Sequence, residues 1–183
     1  LFEGVTKIFI SEMKMADWEM QGEIILPGLD ISEYGGYRGN EEKVLRVGNL
    51  LKERDLMMGY SFGEKVIKNH PLLTLGMNPG IPESRISNGF DDLLNQFKNN
   101  RVYINTTVDG FEDGYNLSML EAMATGMPVV TSQNKTSPIC DGINGYSSND
   151  PDYLNSCIGN LMKDPLLAKE MGEKARKTVA EKF

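Results

Sequence analysis

Short apolar runs alternate with longer segments of helical spacing along the 183-residue chain. The run "VTKIFI" (5–10) alternates and is β-branched, which predicts a strand; Ser11 then predicts the cap of a helix over "SEMKMADWEM". "EIILPGLD" (23–30) predicts a short strand stopped by Pro27 and Gly28, and residues 31–42, "ISEYGGYRGNEE", lack periodicity and predict a linker or mobile loop. "KVLRVGNL" (43–50) predicts a buried strand ending at Gly48. Leu56, Met57, Tyr60, Val66 and Ile67 place a helix over 54–69, weakened by Gly59 and Gly63.

The second half continues the alternation. "LLTLGM" (72–77) predicts a strand and "NPGIPES" a loop; Phe90, Leu93, Leu94 and Phe97 give "FDDLLNQFKNN" (90–100) an amphipathic helix. "RVYINTT" predicts a strand, followed by a glycine-rich acidic loop and an apolar helix ending at Thr125-Gly126. "MPVVTS" (127–132) and "INGYSS" (143–148) predict two further strands, and two helices follow from Pro151 to the last residue. Strands alternating with helices, and strands apolar on both faces, predict an α/β fold: a Rossmann-like parallel sheet with helices on both faces. Ligands of such sheets bind beyond the carboxyl ends of the strands, where Gly48, Gly76, Gly110 and Gly114 fall.

Composition narrows the chemistry. With 40% hydrophobic and 25% charged residues the chain reads as globular, and no apolar run reaches the roughly 18 residues of a transmembrane segment. A net charge of −7 argues against nucleic acid or an anionic membrane as the main partner. Cys140 and Cys157 are too few for a disulfide scaffold or a zinc site, so a reducing, cytoplasmic setting is expected. The single histidine, His70 in "KNHP", reads as a cation at a helix end closed by Pro71. Three N-x-[S/T] matches, at Asn105, Asn116 and Asn134, read as chance without a signal peptide. The start, "LFEGVTKIFISE", reads as that of a fragment.

One stretch carries the functional signal: "DGFEDGYNLSMLEAMATGMPVV", residues 109–130. Its glycines and "GYNLS" have two readings. Asn116 caps a helix behind a tight turn, or the first N–H groups of that helix accept a phosphate. Glu121 favours a ligand, because its neighbours one turn away are Leu117, Ala124 and Thr125, and an unpaired buried carboxylate costs several kcal/mol as an order of magnitude. Such an acid needs a partner or a wet cavity, and it suits the vicinal hydroxyls of a ribose. Asp113 at the loop tip suits another hydroxylated part of the ligand, or is a solvated turn acid. Lys52 and Arg54, just past the strand ending at Gly48, offer cations to a phosphate, or form a solvated loop.

"DGYNLSMLEAMATGMPVVTS", followed by "DGINGYSSNDPDYLNSCIGNLMKDPLLAKEMGEKARKTVAEKF", resembles the C-terminal, donor-binding half of a family 4 retaining glycosyltransferase of GT-B fold. The family's pattern is E-x7-E, then "EAMA-x-G-x-PVV", an "nG" strand and two closing helices; the match covers roughly residues 110–183. A weaker likeness links "ILPGLD" to the family's interdomain hinge. The resemblance then implies that residues 1–22 end an N-terminal, acceptor-side domain and that 23–183 form the C-terminal nucleotide-sugar-binding domain.

The resemblance also assigns roles. Glu121 matches the glutamate that holds the nucleotide ribose. The glutamate that contacts the donor sugar falls on Asp113, one methylene shorter, with Glu112 as a stand-in. The backbone N–H groups of Tyr115, Asn116 and Leu117, beside Gly114, match the loop that touches sugar and diphosphate. The "GR…K" phosphate signature is half present: after Gly48, Asn49 stands where the arginine belongs, Arg54 falls where the lysine would be, and Lys52 is the candidate substitute. Residues 72–105 look one strand-helix unit shorter than usual.

The resemblance implies a hexosyltransferase with a UDP- or GDP-sugar donor, no metal, and a saccharide or lipid-linked acceptor bound through an N-terminal domain. Asp113 and Arg54 are then its catalytic candidates, and the chain alone should bind nucleotide but barely turn over. A second reading is a non-catalytic sugar-nucleotide-binding or interaction module of GT-B origin, suggested by Asn49, Asp113 and the shortened sheet. A third is a sugar phosphorylase or epimerase.

Overall fold

A computed structural model describes residues 4–111 and 114–183. Its first unit is a parallel pair of short strands, β1 (Ile8–Phe9) and β2 (Glu23–Ile24), joined through α1 (Glu12–Asp17). Ser11 caps α1, its side chain accepting from the Lys14 N–H at 3.1 Å. Both strands are shorter than the apolar runs that predict them, since each has only the other to pair with. Ile25 N–H donates to the Phe9 carbonyl at 2.9 Å and closes the unit.

The main sheet has five strands: β3 (Glu41–Val47), β4 (Leu72–Leu75), β5 (Asn100–Asn105), β6 (Val129–Thr131) and β7 (Tyr146–Ser147). Their order is β4-β3-β5-β6-β7 and every pairing is parallel. Alternate residues of the inner strands feed two cores. Leu45, Tyr103 and Val129 face one side, while Val44, Val102, Ile104 and Val130 face the other.

Helices cover both faces. The first core is closed by α4 (Gly89–Asn99) and α5 (Leu117–Thr125), through Phe97, Met119, Leu120 and Met123. The second is closed by α3 (Tyr60–Val66) and α6 (Pro151–Lys163), through Val66, Leu154, Ile158 and Leu161. The last helix, α7 (Pro165–Lys182), serves both: Ala168 and Met171 join the second core, Ala175 and Val179 the first. A single helix over 54–69 does not form. Gly59, at φ 59°, divides it into α2 (Asp55–Met58) and α3, and a Cβ there would collide with the Thr106 carbonyl. His70 lies past the end of α3, its Nε2 3.2 Å from the Asn155 carbonyl, while the Asn155 amide donates to the carbonyls of Val66 and Lys68.

The stretch expected to be a linker or mobile loop is fastened along its length. Leu29 N–H donates to the Phe183 carbonyl at 3.2 Å. Asp30 caps a 3-10 turn over Ile31–Glu33, and Arg176 Nη2 on α7 holds the Ile31 carbonyl at 2.9 Å. Tyr37 donates its hydroxyl to the Arg101 carbonyl at 2.6 Å, and the N–H groups of Arg38 and Gly39 both reach the Lys98 carbonyl. Glu41 and Glu42, expected in the same loop, already belong to β3. Periodicity misses this segment because it is held by single anchoring side chains, tyrosines above all.

Candidate functional site

Strand order decides where the site lies. From β3 the chain moves outward to β4, then returns to place β5 on the other side of β3. That reversal leaves a crevice between the loops after β3 and β5, the usual ligand position in an open parallel sheet. Gly48 to Arg54 follow β3 on one side, and among the described residues 106–111 and 114–116 follow β5 on the other.

The first wall is laced to the loop after β4. Gly48 N–H donates to the Leu75 carbonyl at 2.9 Å, and the Asn78 amide returns to the Gly48 carbonyl at 2.8 Å. Leu51 N–H donates to Asn78 Oδ1 at 2.9 Å. Gly76, at φ 127°, passes so close to the Gly48 carbonyl that a Cβ would overlap it. Asn49 belongs to this lacing, its Oδ1 accepting from Met77 N–H at 2.8 Å. Lys52 and Arg54 remain exposed on the turn beyond, and Arg54 sits at the start of α2 with Met57 Sδ 4.0 Å from its guanidinium. The structure thus keeps two cations at the mouth and uses the asparagine to hold the loop.

The second wall ends in α5. Asn116 caps the helix, its Oδ1 accepting from Met119 N–H at 2.9 Å and from the Ser118 hydroxyl at 3.0 Å. The Tyr103 hydroxyl donates to Ser118 Oγ at 3.0 Å and ties the cap to β5. Among the described residues no acceptor takes the N–H groups of Leu117 and Ser118. Both readings of this terminus therefore hold together: the cap uses one donor, and others stay available to an anion. Tyr115 stacks edge-on against Phe183 with ring centroids 4.7 Å apart, and Gly114 has Ile10 against it where a Cβ would stand. Glu112 and Asp113 lie outside the described residues.

Glu121 follows one turn into α5 and is half-buried. Burial pushes its carboxyl above the usual carboxylate pKa, and a hydrogen bond from Tyr34 draws it partly back. The Tyr34 hydroxyl donates to Glu121 Oε1 at 3.1 Å. Tyr34 itself is pushed up to about 12, by burial first and then by the Glu121 charge. The partner that a half-buried acid requires thus comes from the fastened segment before β3. Sequence reading missed Tyr34; the signal was an aromatic residue with a polar tip in a stretch otherwise rich in glycine and charge. Among the described residues no three His, Cys, Asp or Glu side chains gather as a metal site, and no helix is long and apolar enough to cross a membrane.

Residues 64–164, more than half of the chain, match the family described as Glycosyl transferases group 1. The chain belongs to the group 1 glycosyl transferases. Its fold is that of solved GT-B enzymes. TarM of S. aureus superposes with a TM-score of 0.76 at 21% identity, over 97% of this chain and 40% of TarM. Anabaena HepE, solved with UDP and glucose, gives 0.75 at 14% identity, over 97% of this chain and 59% of HepE. The C-terminal domain of LpcC from Francisella tularensis gives 0.61 at 14% identity, over 85% of this chain and 98% of that domain. This group 1 chain therefore spans about half the length of TarM and HepE. No curated protein matches its sequence.

Proposed function

We propose that this chain is the donor-binding domain of a retaining family 4 hexosyltransferase, taking a UDP- or GDP-sugar and serving a saccharide or lipid-linked acceptor in the cytoplasm. The observation that carries the reading is Glu121: a half-buried acid on α5, one turn from a helix terminus whose first N–H groups find no acceptor among the described residues, at the sheet's switch point. A ribose diol suits the carboxylate, and the diphosphate suits the terminus with Lys52 and Arg54. HepE, of the same fold, has been solved with UDP-glucose.

In this reading Gly48 and Gly114 let backbone approach the donor, and the N–H groups of Tyr115, Asn116 and Leu117 face sugar and diphosphate. Asp113 or Glu112 contacts the sugar, while Arg54 stabilises the departing diphosphate without a metal. Residues 1–22 belong to the acceptor-side domain, and 23–183 hold the donor.

Calorimetric titration with UDP, GDP and ADP, beside Glu121→Ala, tests the proposal. Saturable binding of one nucleotide, lost in the variant, supports it. Equal binding by both proteins, or binding of none of the three, overturns it.

The engagement of Asn49 with Met77 N–H favours a second reading, a module that binds sugar nucleotide without transferring it. Bound UDP-glucose would then keep its sugar–phosphate bond intact, which product analysis by chromatography decides.

A further inference from the structure

Glu121 has two carboxylate oxygens, and the structure treats them differently. Oε1 receives the Tyr34 hydroxyl at 3.1 Å, whereas no donor among the described residues reaches Oε2. Tyr34 is itself held in place. Its ring meets Phe90 of α4 edge-on at 5.9 Å and packs against the first core. Its backbone follows the 3-10 turn that Asp30 caps and Arg176 anchors. A side chain with two fixed ends bears on a half-buried acid at the crevice.

We infer that Tyr34 is a positioning residue for the donor: its hydroxyl ties down Oε1 of Glu121, so that Oε2 is presented to a ribose hydroxyl. This rests on the donor-binding reading above and adds to it a residue from outside both crevice loops. A free glutamate on a helix samples several rotamers, and only some of them aim an oxygen at a ligand. One hydrogen bond from a rigid aromatic selects among them. The same bond keeps the carboxylate ionised against the cost of burial.

Other charged groups nearby are already committed. Arg176 of α7 gives its guanidinium to the carbonyls of Ala124 and Ile31, and Asp92 of α4 is bound to Arg85. Glu33, beside Tyr34, acts on the phenol and raises its pKa. Burial and the Tyr34 hydroxyl are what set the state of Glu121.

The test compares the full chain with Tyr34→Phe, which keeps the ring against Phe90 and removes only the hydroxyl, and with Glu121→Gln. The Glu121 carboxyl is titrated by carbon-13 NMR without ligand, and UDP affinity is measured by calorimetry across pH 4.5 to 8 (about the carboxylate range and above). Tyr34→Phe should move the Glu121 titration to higher pH and weaken UDP by about fivefold near neutrality. Its affinity should also begin to fall at a higher pH on acidification. UDP binding that is weakened by Glu121→Gln yet unchanged by Tyr34→Phe overturns this inference and leaves the donor reading standing. With GDP in place of UDP where only GDP binds, nucleotide binding that ignores Glu121→Gln, or no binding of either nucleotide, overturns both.

Discussion

Gly172 of α7 lies directly against the carbonyl of Gly126, the residue that ends α5, and a Cβ on Gly172 would overlap that oxygen and crowd the Pro128 nitrogen. The contact sets how near the last helix comes to the helix carrying Glu121. In an ordinary helix interior, glycine to alanine stabilises by about 1 kcal/mol. Here the added methyl must push backbone aside, so Gly172→Ala is expected to destabilise by about 1–3 kcal/mol. Urea unfolding reads the sign directly; a more stable variant would mean that the two helices are not in this contact.

Arg101 is buried at the start of β5 and serves three carbonyls: Gly39 through Nε at 2.6 Å, and Leu161 and Met162 through Nη1 at 3.2 and 2.7 Å. The last two belong to the final turn of α6, where a cation also meets the negative end of the helix. Arg101→Met fills the space but leaves three buried acceptors unmet, and should cost about 3 kcal/mol in urea unfolding. Fluorescence and circular dichroism should still report a single transition, since the aliphatic replacement preserves packing.

Arg54 and Lys52 act on charge, so their effect should follow the phosphates. Arg54→Ala is expected to weaken UDP about tenfold, and Lys52→Ala by less, while neither changes the weaker binding of uridine. Raising salt should narrow the gap between wild type and variant. Equal losses for UDP and uridine would show that the turn acts by shape instead.

Glu121 should leave a mark on stability as well as on binding. Burial raises its folded pKa above the unfolded value, so the native state binds the proton more tightly. The stability this supplies is present below the unfolded pKa and is lost as pH rises through the folded one. At neutral pH the charged side chain thus weakens the fold. Glu121→Gln is expected to be the more stable protein at pH 7, with the difference shrinking on acidification and vanishing below the unfolded carboxylate pKa of about 4. Urea midpoints from pH 4 to 8 check it; a variant less stable at pH 7 would contradict the burial account.

Much of this was legible in the sequence, for reasons that differ by element. Strands such as "KVLRVGNL" and "RVYINTT" were readable because inner strands of a parallel sheet are apolar on both faces. Glu121 was readable because an acid among Leu120, Ala122 and Ala124 violates the local pattern, and the violation itself asks for a partner. That partner was not readable. Tyr34 lies 87 residues away, in a segment whose order comes from a few long-range bonds rather than from any repeat. The break at Gly59 was hidden for a related reason: it answers to the Thr106 carbonyl, which no helical pattern announces. Arg46 gave no signal either. It reads as a polar interruption of β3, yet it is buried, paired with Glu64 at 2.9 Å and stacked over Tyr60.

The fastening of the chain on either side of Pro27 has a mechanical consequence. Ile25 is bonded back to Phe9, and from Leu29 to Gly39 the chain is moored at Leu29, Ile31, Tyr34, Tyr37, Arg38 and Gly39 to Phe183, Arg176, Glu121, Arg101 and Lys98. Leu26, Pro27 and Gly28 are left as a three-residue swivel, in which proline fixes one torsion and glycine frees two. Among the described residues those three are the unmoored backbone between the first unit and the five-stranded sheet, while Ile10 of that unit also rests against Gly114. Leu29, where the moored chain begins, stands five residues before Tyr34, which takes hold of Glu121.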